Sequence, residues 1–277
     1  MENDNNNVGF MLLRSMSESV NELSPLVNFF QLTTDEFFGI EAMEDKRFLR
    51  EFTDSFEVHI HSLDLSFCSA DGPNRKSLLN LKMITENYRI KSISDHVGFN
   101  KINGINIGLP ILPPILSEES LDITQQNITE IISTLNLPFY IENNSICTKW
   151  ITNEMSDVDF LHRLTSNTNC ELLLDLANLM ADAKNFNFNA KDYIKSLPLN
   201  KIAMLHIAGG DWLDGYNEKQ ITGGHNKPVQ SQVWELLDYT LAISDPKYIV
   251  LERSRNIVFS EVINDLKSIH QHVRDIR

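Results

Sequence analysis

Cysteine, glycine and basic charge are all sparse in this 277-residue chain, and each shortage closes off a class of protein. The three cysteines, Cys68, Cys147 and Cys170, are an odd number without a CxxC spacing. That excludes a disulfide scaffold and a cysteine-based zinc finger. Lys and Arg number 24 against 38 Asp and Glu, for a net charge of −14. General binders of nucleic acid and of anionic membranes need clustered cations, so neither partner is expected. No apolar run approaches the ~18 residues of a membrane span. The start, MENDNNN, lacks the basic-then-apolar order of a signal peptide, so the expected location is the cytoplasm. Glycine is missing where a dinucleotide-binding fold would need it. The first apolar run ends in Leu12, Leu13, Arg14 and Ser15, with no GxGxxG behind it. What remains is 42% hydrophobic and 22% charged, enough for a full core. One domain over residues 1–277 is expected, with 1–7 disordered.

Short apolar runs alternate with longer amphipathic ones. Eight strands are predicted: Val8–Arg14, Val27–Leu32, Phe56–Leu63, Ile90–His96, Pro138–Glu142, Cys170–Leu176, Ile202–Ala208 and Lys247–Glu252. Their near-continuous apolar character is that of strands buried on both faces. Leu78, Leu81, Ile84 and Tyr88 recur at helical spacing, as do Ile128, Ile131, Ile132 and Leu135, and Val262, Ile263, Leu266 and Ile269. Further helices are predicted over Val158–Leu164 and Val229–Ile243, with weaker ones near Ser17–Leu23, Glu44–Phe52 and Ala190–Leu197. Alternating strands and helices imply parallel pairing with right-handed crossovers. Eight units of this kind predict an α/β fold, a (β/α)8 TIM barrel. Asn100–Ser120 and Gly209–Pro228 are read as long functional loops.

The ionisable residues fall at the strand ends. His61 closes the third strand, His96 the fourth and Glu142 the fifth. Asp175 is near the end of the sixth, with Asn178 three residues on. His206 is near the end of the seventh, Glu252 closes the eighth, and His225 lies in the loop between them. In a (β/α)8 barrel that end is the face where active sites form. Imidazoles, carboxylates and an amide suit iron, manganese or zinc, and a cation would relieve the repulsion among converging carboxylates. The ligand number exceeds what one ion takes, and a carboxylate such as Glu142 can bridge two. His59 reads as a core histidine. Asp175 and Asp95 each have a plainer reading as helix N-caps.

At these residues the chain resembles the multinuclear non-haem iron-dependent oxidative enzymes. Seven blocks carry the resemblance in the right order: His61-Ser-Leu-Asp-Leu-Ser66, Ser94-Asp-His96, Glu142-Asn-Asn-Ser145, Leu173-Leu-Asp-Leu-Ala-Asn178, His206-Ile-Ala-Gly209, His225-Asn-Lys-Pro-Val229 and Glu252-Arg253. The resemblance implies a (β/α)8 barrel holding two or three irons in mixed Fe(II)/Fe(III) states, with O2 as cosubstrate. It implies oxidation of a residue, often cysteine, in a ribosomally made precursor peptide, as in methanobactin biosynthesis. A small leader-peptide-recognition protein is the expected partner, in a heterodimer. The metal ligands it implies are His61, His96, Glu142, Asp175, Asn178, His206, His225 and Glu252. His61, His96 and Glu142 would hold one ion, and Glu142, Asp175, His206 and Glu252 the other. Asn178 and His225 would complete a third site or position substrate. Glu142, His225 and Asp95 are the expected catalytic residues, Asp95 by orienting a ligand histidine. The chain departs from the pattern at Gln31, Gly210, Gly223 and Ser254, where the family usually carries Glu, His, Asp and Asp. Asp211 or Asp214 could replace the missing acid at Gly223. The alternative reading is a divalent-metal barrel hydrolase or isomerase acting on sugars or phosphodiesters. A non-enzymatic metal or peptide binder is the third.

Overall fold

The computed structural model describes residues 7–37, 46–108, 111–146, 149–210, 213–214, 221–222, 225–254 and 257–277. Eight parallel strands close into a barrel: β1 (Asn7–Leu12), β2 (Phe29–Thr33), β3 (Glu57–His61), β4 (Ile93–His96), β5 (Phe139–Glu142), β6 (Glu171–Asp175), β7 (Ile202–Ile207) and β8 (Tyr248–Leu251). Each pairs with its neighbours in the chain, and Asn7–Phe10 of β1 pair with Tyr248–Leu251 of β8, so the sheet has no open edge.

The barrel follows from apolar residues at both parities of each strand. Val58 and Ile60, Phe139 and Ile141, Leu172 and Leu174, and Leu205 and Ile207 belong to the large core between sheet and helices. The opposite parity fills the barrel. Met11, Phe29, Tyr140, Leu173, Ala203, Met204, Tyr248 and Val250 form a second apolar cluster there. Above that plug the inward parity turns polar at His61, Glu142, Asp175 and His206. Beside Phe29 and Tyr248 of that plug, His59 is a core residue, as expected. Its Nδ1 lies 2.6 Å from Ser92 Oγ and its Nε2 3.2 Å from Glu57 Oε1, and burial lowers its pKa.

Helices α1 (Lys46–Ser55), α2 (Arg75–Asn87), α3 (Glu118–Leu135), α4 (Asp157–Asn167), α5 (Leu176–Phe186), α6 (Ala190–Ser196), α7 (Ser231–Ile243) and α8 (Phe259–Ile276) surround the sheet. Side-chain caps start several of them: Asn74 accepts from Lys76 N–H, Ser117 from Ser120 N–H and Ser156 from Asp159 N–H. Among these described helices, none is long and apolar enough to cross a membrane.

Four features differ from the sequence reading. Asn7, expected in a disordered start, is the first residue of β1. β1 ends at Leu12, and Arg14–Ser19 form a 3-10 helix. β6 runs into α5 without a loop, because Asp175 ends the strand and caps the helix at once. Both long loops contain hairpins: Lys101–Ile102 with Ile105–Asn106, and Leu213–Asp214 with Ile221–Thr222. In the first, Asn103 and Gly104 take φ of 50° and 76°, the left-handed pair that a tight hairpin turn requires.

Gly209 lets two segments touch at the mouth. A Cβ there would fall 2.0 Å from the Pro228 carbonyl oxygen, and Lys227 N–H donates to Gly209 O at 2.9 Å. Gly209→Ala should therefore cost roughly 1–3 kcal/mol of stability through overpacking. A lowered urea midpoint checks this; a wild-type midpoint would contradict so close an approach.

Candidate metal centre

Parallel pairing sets the polar strand ends at one level. His96 is opposite Glu142, and Asp175 opposite His206. Glu142 lies between two groups. Its Oε2 is 3.4 Å from His61 Nε2 and 3.5 Å from His96 Nε2. Its Oε1 is 3.2 Å from His206 Nδ1, which is also 3.2 Å from Glu252 Oε2. Within each group, His61–His96–Glu142 and Glu142–Asp175–His206–Glu252, one donor atom per residue lies within 4.8 Å of all the others. His225 stands beside the second group, with Nδ1 2.9 Å from Glu252 Oε1 and Nε2 3.9 Å from Asp175 Oδ2.

These donors are turned into the mouth with little else to bond. Glu142 Oε2, Asp175 Oδ2, His206 Nδ1 and His225 Nε2 are buried and make no well-aligned hydrogen bond. Each such group costs about 1–3 kcal/mol when left unsatisfied, and a cation among these four would satisfy them together. Burial holds the His61 pKa down at about 3, leaving a neutral ring with a free lone pair. Burial also opposes the charged forms of Glu142, His206 and His225, but their mutual attraction outweighs it. Glu142 falls to about 2, while His206 rises to about 10 and His225 to about 9. Burial raises Asp175 to about 6, and the Glu252 pKa lies well below its usual value. At neutral pH, without a cation, three carboxylates would face two imidazoliums. Metal ions would replace those protons and neutralise the remaining charge. The donors are nitrogen and oxygen, as iron, manganese or zinc accept. Cys68 and Cys170 sit in the helix-side core, where burial pushes their thiols up to about 12 and 11.

The surrounding residues hold this arrangement. Ser94 Oγ is 2.9 Å from His61 Nδ1, and Gln31 Oε1 is 2.7 Å from His206 Nε2. Asn143 ties β5 to β6, accepting from Asp175 N–H at 2.8 Å and donating to Asp175 O at 3.0 Å. Asp265 accepts from Val229 N–H and Arg253, joining the segment after His225 to the end of β8. Ser94 and Asn143 lie inside the motif blocks. The role of Asp265 comes from a helical position with no motif around it.

One expected role changes. Asp95 accepts from the backbone N–H groups of Leu65 and His96, at 2.8 and 2.6 Å, while the His96 ring nitrogen is 3.9 Å away. It orders backbone rather than orienting an imidazole, and burial raises its pKa to about 7. Asn178, expected as a ligand, donates its side-chain NH2 to Asn143 O at 3.2 Å, a bond that does not use its amide oxygen. Its backbone N–H caps Asp175 Oδ1 at 2.7 Å, leaving Oδ2 to the mouth, so Asp175 is both N-cap and mouth carboxylate. Gly223 and Asp211 lie outside the described residues, as does the Asp214 side chain. A cavity of about 340 Å³ opens beside the ends of β4 and β5, lined by Val97, Asn143, Asn144, Trp150 and Phe160.

Residues 7–274 match the family described as RiPP precursor modification enzyme MbnB/TglH/ChrH, RiPP denoting ribosomally made, post-translationally modified peptides. UPF0276 protein PA14_21580 of Pseudomonas aeruginosa is 32% identical over 83% of this chain and 79% of its own length. UPF0276 protein VP3015 of Vibrio parahaemolyticus is 26% identical over 86% and 82%. Solved structures share the fold at low identity. Endonuclease IV of Thermus thermophilus aligns with a TM-score of 0.57 at 15% identity, over 97% of this chain and 99% of that one. A xylose isomerase domain containing protein of Salmonella typhimurium aligns at 0.62 and 10%, over 100% and 99%.

Glu142→Ala should remove metal from both groups, whereas His225→Ala should leave the pair of ions in place. Elemental analysis of the two purified variants decides this, and full loading of the Glu142 variant would contradict a shared carboxylate. Because His206 and His225 hold protons at pH 7, binding should release them. Affinity for Zn2+ should rise between pH 6 and 9, by about tenfold per pH unit for each proton displaced. Calorimetry in buffers of different ionisation enthalpy counts those protons, and zero released would refute the raised imidazole pKa values.

Proposed function

The chain belongs to the MbnB/TglH/ChrH family of RiPP precursor modification enzymes, and from that premise we propose that it carries out an iron- and O2-dependent oxidation of a precursor-peptide residue, cysteine first among the candidates. The observation that carries the reading is Glu142, buried with one oxygen toward each of two nitrogen-and-oxygen donor groups. His61, His96 and Glu142 would hold one ion, and Glu142, Asp175, His206 and Glu252 the other. Iron bound there supplies one-electron and O2 chemistry that side chains lack.

The remaining work falls to this chain's own groups. The plug of Met11, Leu173, Met204 and Val250 closes the barrel beneath the mouth and keeps water from entering below. Glu252 and His225 are the more exposed members of the cluster, at 15% and 20% of their side chains, so a peptide arriving from solvent meets them first. The His225 imidazolium, paired with Glu252, can give a proton to the substrate and take it back. Asn143 keeps Glu142 and Asp175 at fixed separation while the peptide binds. The cavity beside β4 and β5 gives a neighbouring side chain of the peptide an apolar place to rest. The chain's −14 charge suits a basic leader segment, presented by a small recognition protein.

Anaerobic purification from iron-supplemented cells should yield two or more irons per chain, with Mössbauer or EPR spectra of a mixed-valence cluster. Adding O2 and a cysteine-containing precursor peptide encoded nearby should consume O2 and change the peptide mass. Stoichiometric zinc or manganese, with no iron uptake on reconstitution, would replace this reading with a hydrolase or isomerase.

A further inference from the structure

Gln31 is fully buried in β2, inside the barrel, and is absent from both donor groups. Its amide nevertheless reaches one of them directly and the other through Ser94. Oε1 lies 2.7 Å from His206 Nε2, and Nε2 donates to Ser94 Oγ at 3.3 Å and toward Met204 Sδ at 3.7 Å. Ser94 Oγ in turn lies 2.9 Å from His61 Nδ1 and donates to Ile60 O at 3.4 Å.

We infer that Gln31 is a positioning residue that fixes the ring tautomers of His206 and His61 together, and that its neutral amide sets how strongly His206 donates to the ion it holds. The inference rests on the metal-centre reading above.

The directions of the hydrogen bonds follow from what each atom can do. A thioether only accepts, so the amide end facing Met204 is the NH2 group, and Oε1 faces His206. Oε1 only accepts, so His206 Nε2 carries a proton. The lone pair of the neutral ring is then on Nδ1, the atom between Glu142 and Glu252. The NH2 group also donates to Ser94, whose own proton goes to the Ile60 carbonyl. Ser94 Oγ is left to accept from His61 Nδ1–H, which puts the His61 lone pair on Nε2, facing Glu142 Oε2. One side chain thus aims the donor nitrogens of two histidines from opposite groups. A carboxylate at this position would draw the His206 proton toward itself, make Nδ1 a stronger donor, and have no proton for Ser94. The amide keeps His206 a weaker donor, which favours the reduced form of a bound redox metal.

The test compares wild type, Gln31→Leu and Gln31→Glu as full chains, each checked for folding by circular dichroism and melting. Zn2+ calorimetry reads affinity without redox chemistry, and 15N spectra of the zinc-loaded proteins read the histidine tautomers. Gln31→Leu should weaken one of the two zinc sites about 10- to 100-fold and lose the single Nε2–H signature of His206. Gln31→Glu has the same shape and should keep two zincs, while the midpoint potential of the iron-reconstituted protein moves negative. Wild-type zinc affinities and unchanged histidine signals in both variants would overturn the inference, as would an unchanged or more positive potential in Gln31→Glu. If wild type itself takes up no metal, the metal-centre reading fails instead, so the two failures are distinguishable.

Discussion

A buried carboxylate shared between two clusters of imidazoles and acids organises this molecule. Glu142 is 1% exposed, and a charge so deep is tolerated only when it is paired. Its two oxygens face in different directions, so the partners must come from both sides, and β4 and β6 flank β5 in the barrel. His96 pairs across one boundary, while Asp175 follows Asn143 across the other. His61 and His206 reach in from one strand farther out on each side. The closed barrel is thereby a requirement of the site: with an open sheet, Glu252 just past β8 and His61 on β3 could not meet the same carboxylate.

The supporting contacts sit where the donors would otherwise drift. Asn143 clamps the Asp175 backbone with two hydrogen bonds. Asp265 reaches up from α8 to hold the His225 segment and the end of β8 in one grip, and Ser254 N–H adds a bond to His225 O at 2.6 Å. Gly209 permits the backbone crossing that brings that segment over the mouth. None of these residues offers an atom to the donor groups, yet each limits where a donor can lie. Precision of this kind separates a site that holds metal in one geometry from a polar cleft that holds it loosely.

Much of this was legible in the sequence, for a definite reason. Parallel strands buried on both faces are nearly all apolar, so a His, Asp or Glu at the end of such a run stands out, and all eight strands and six of the mouth residues could be read that way. The failures are equally physical. The run Leu172 to Ala177 is apolar apart from Asp175 and has no glycine or proline to mark a break, so α5 is hidden behind β6 although Asp175 is a proper cap. Ile102-Asn103-Gly104-Ile105 carried a strong two-residue hairpin signal inside what was taken for loop. Asn178 is offered as a ligand by the block it shares with Asp175, and the first turn of α5 gives its NH2 group to Asn143. Asp95 has outward parity on β4, one residue from two inward-facing neighbours, and alternation alone would have assigned it to backbone support. Gln31 registered only as a departure from a pattern, because its partners are 63 and 175 residues away.

Histidine itself shows how fold context divides one residue type into two uses. His59 and His61 share a strand and a face. At His59 both ring nitrogens find protein partners, Ser92 and Glu57, and two aromatic rings, Phe29 and Tyr248, pack at 4.7 and 4.5 Å between centroids. Such a ring has nothing left to give a ligand. At His206 one nitrogen is held by Gln31, and the other is buried among carboxylates with no aligned partner. The first arrangement is complete within the protein; the second leaves a buried nitrogen that a cation would satisfy. Two residues along one strand, a spacing of about 6.6 Å, carry the barrel from an interior that needs nothing further to a mouth whose donors are arranged as a metal site would be.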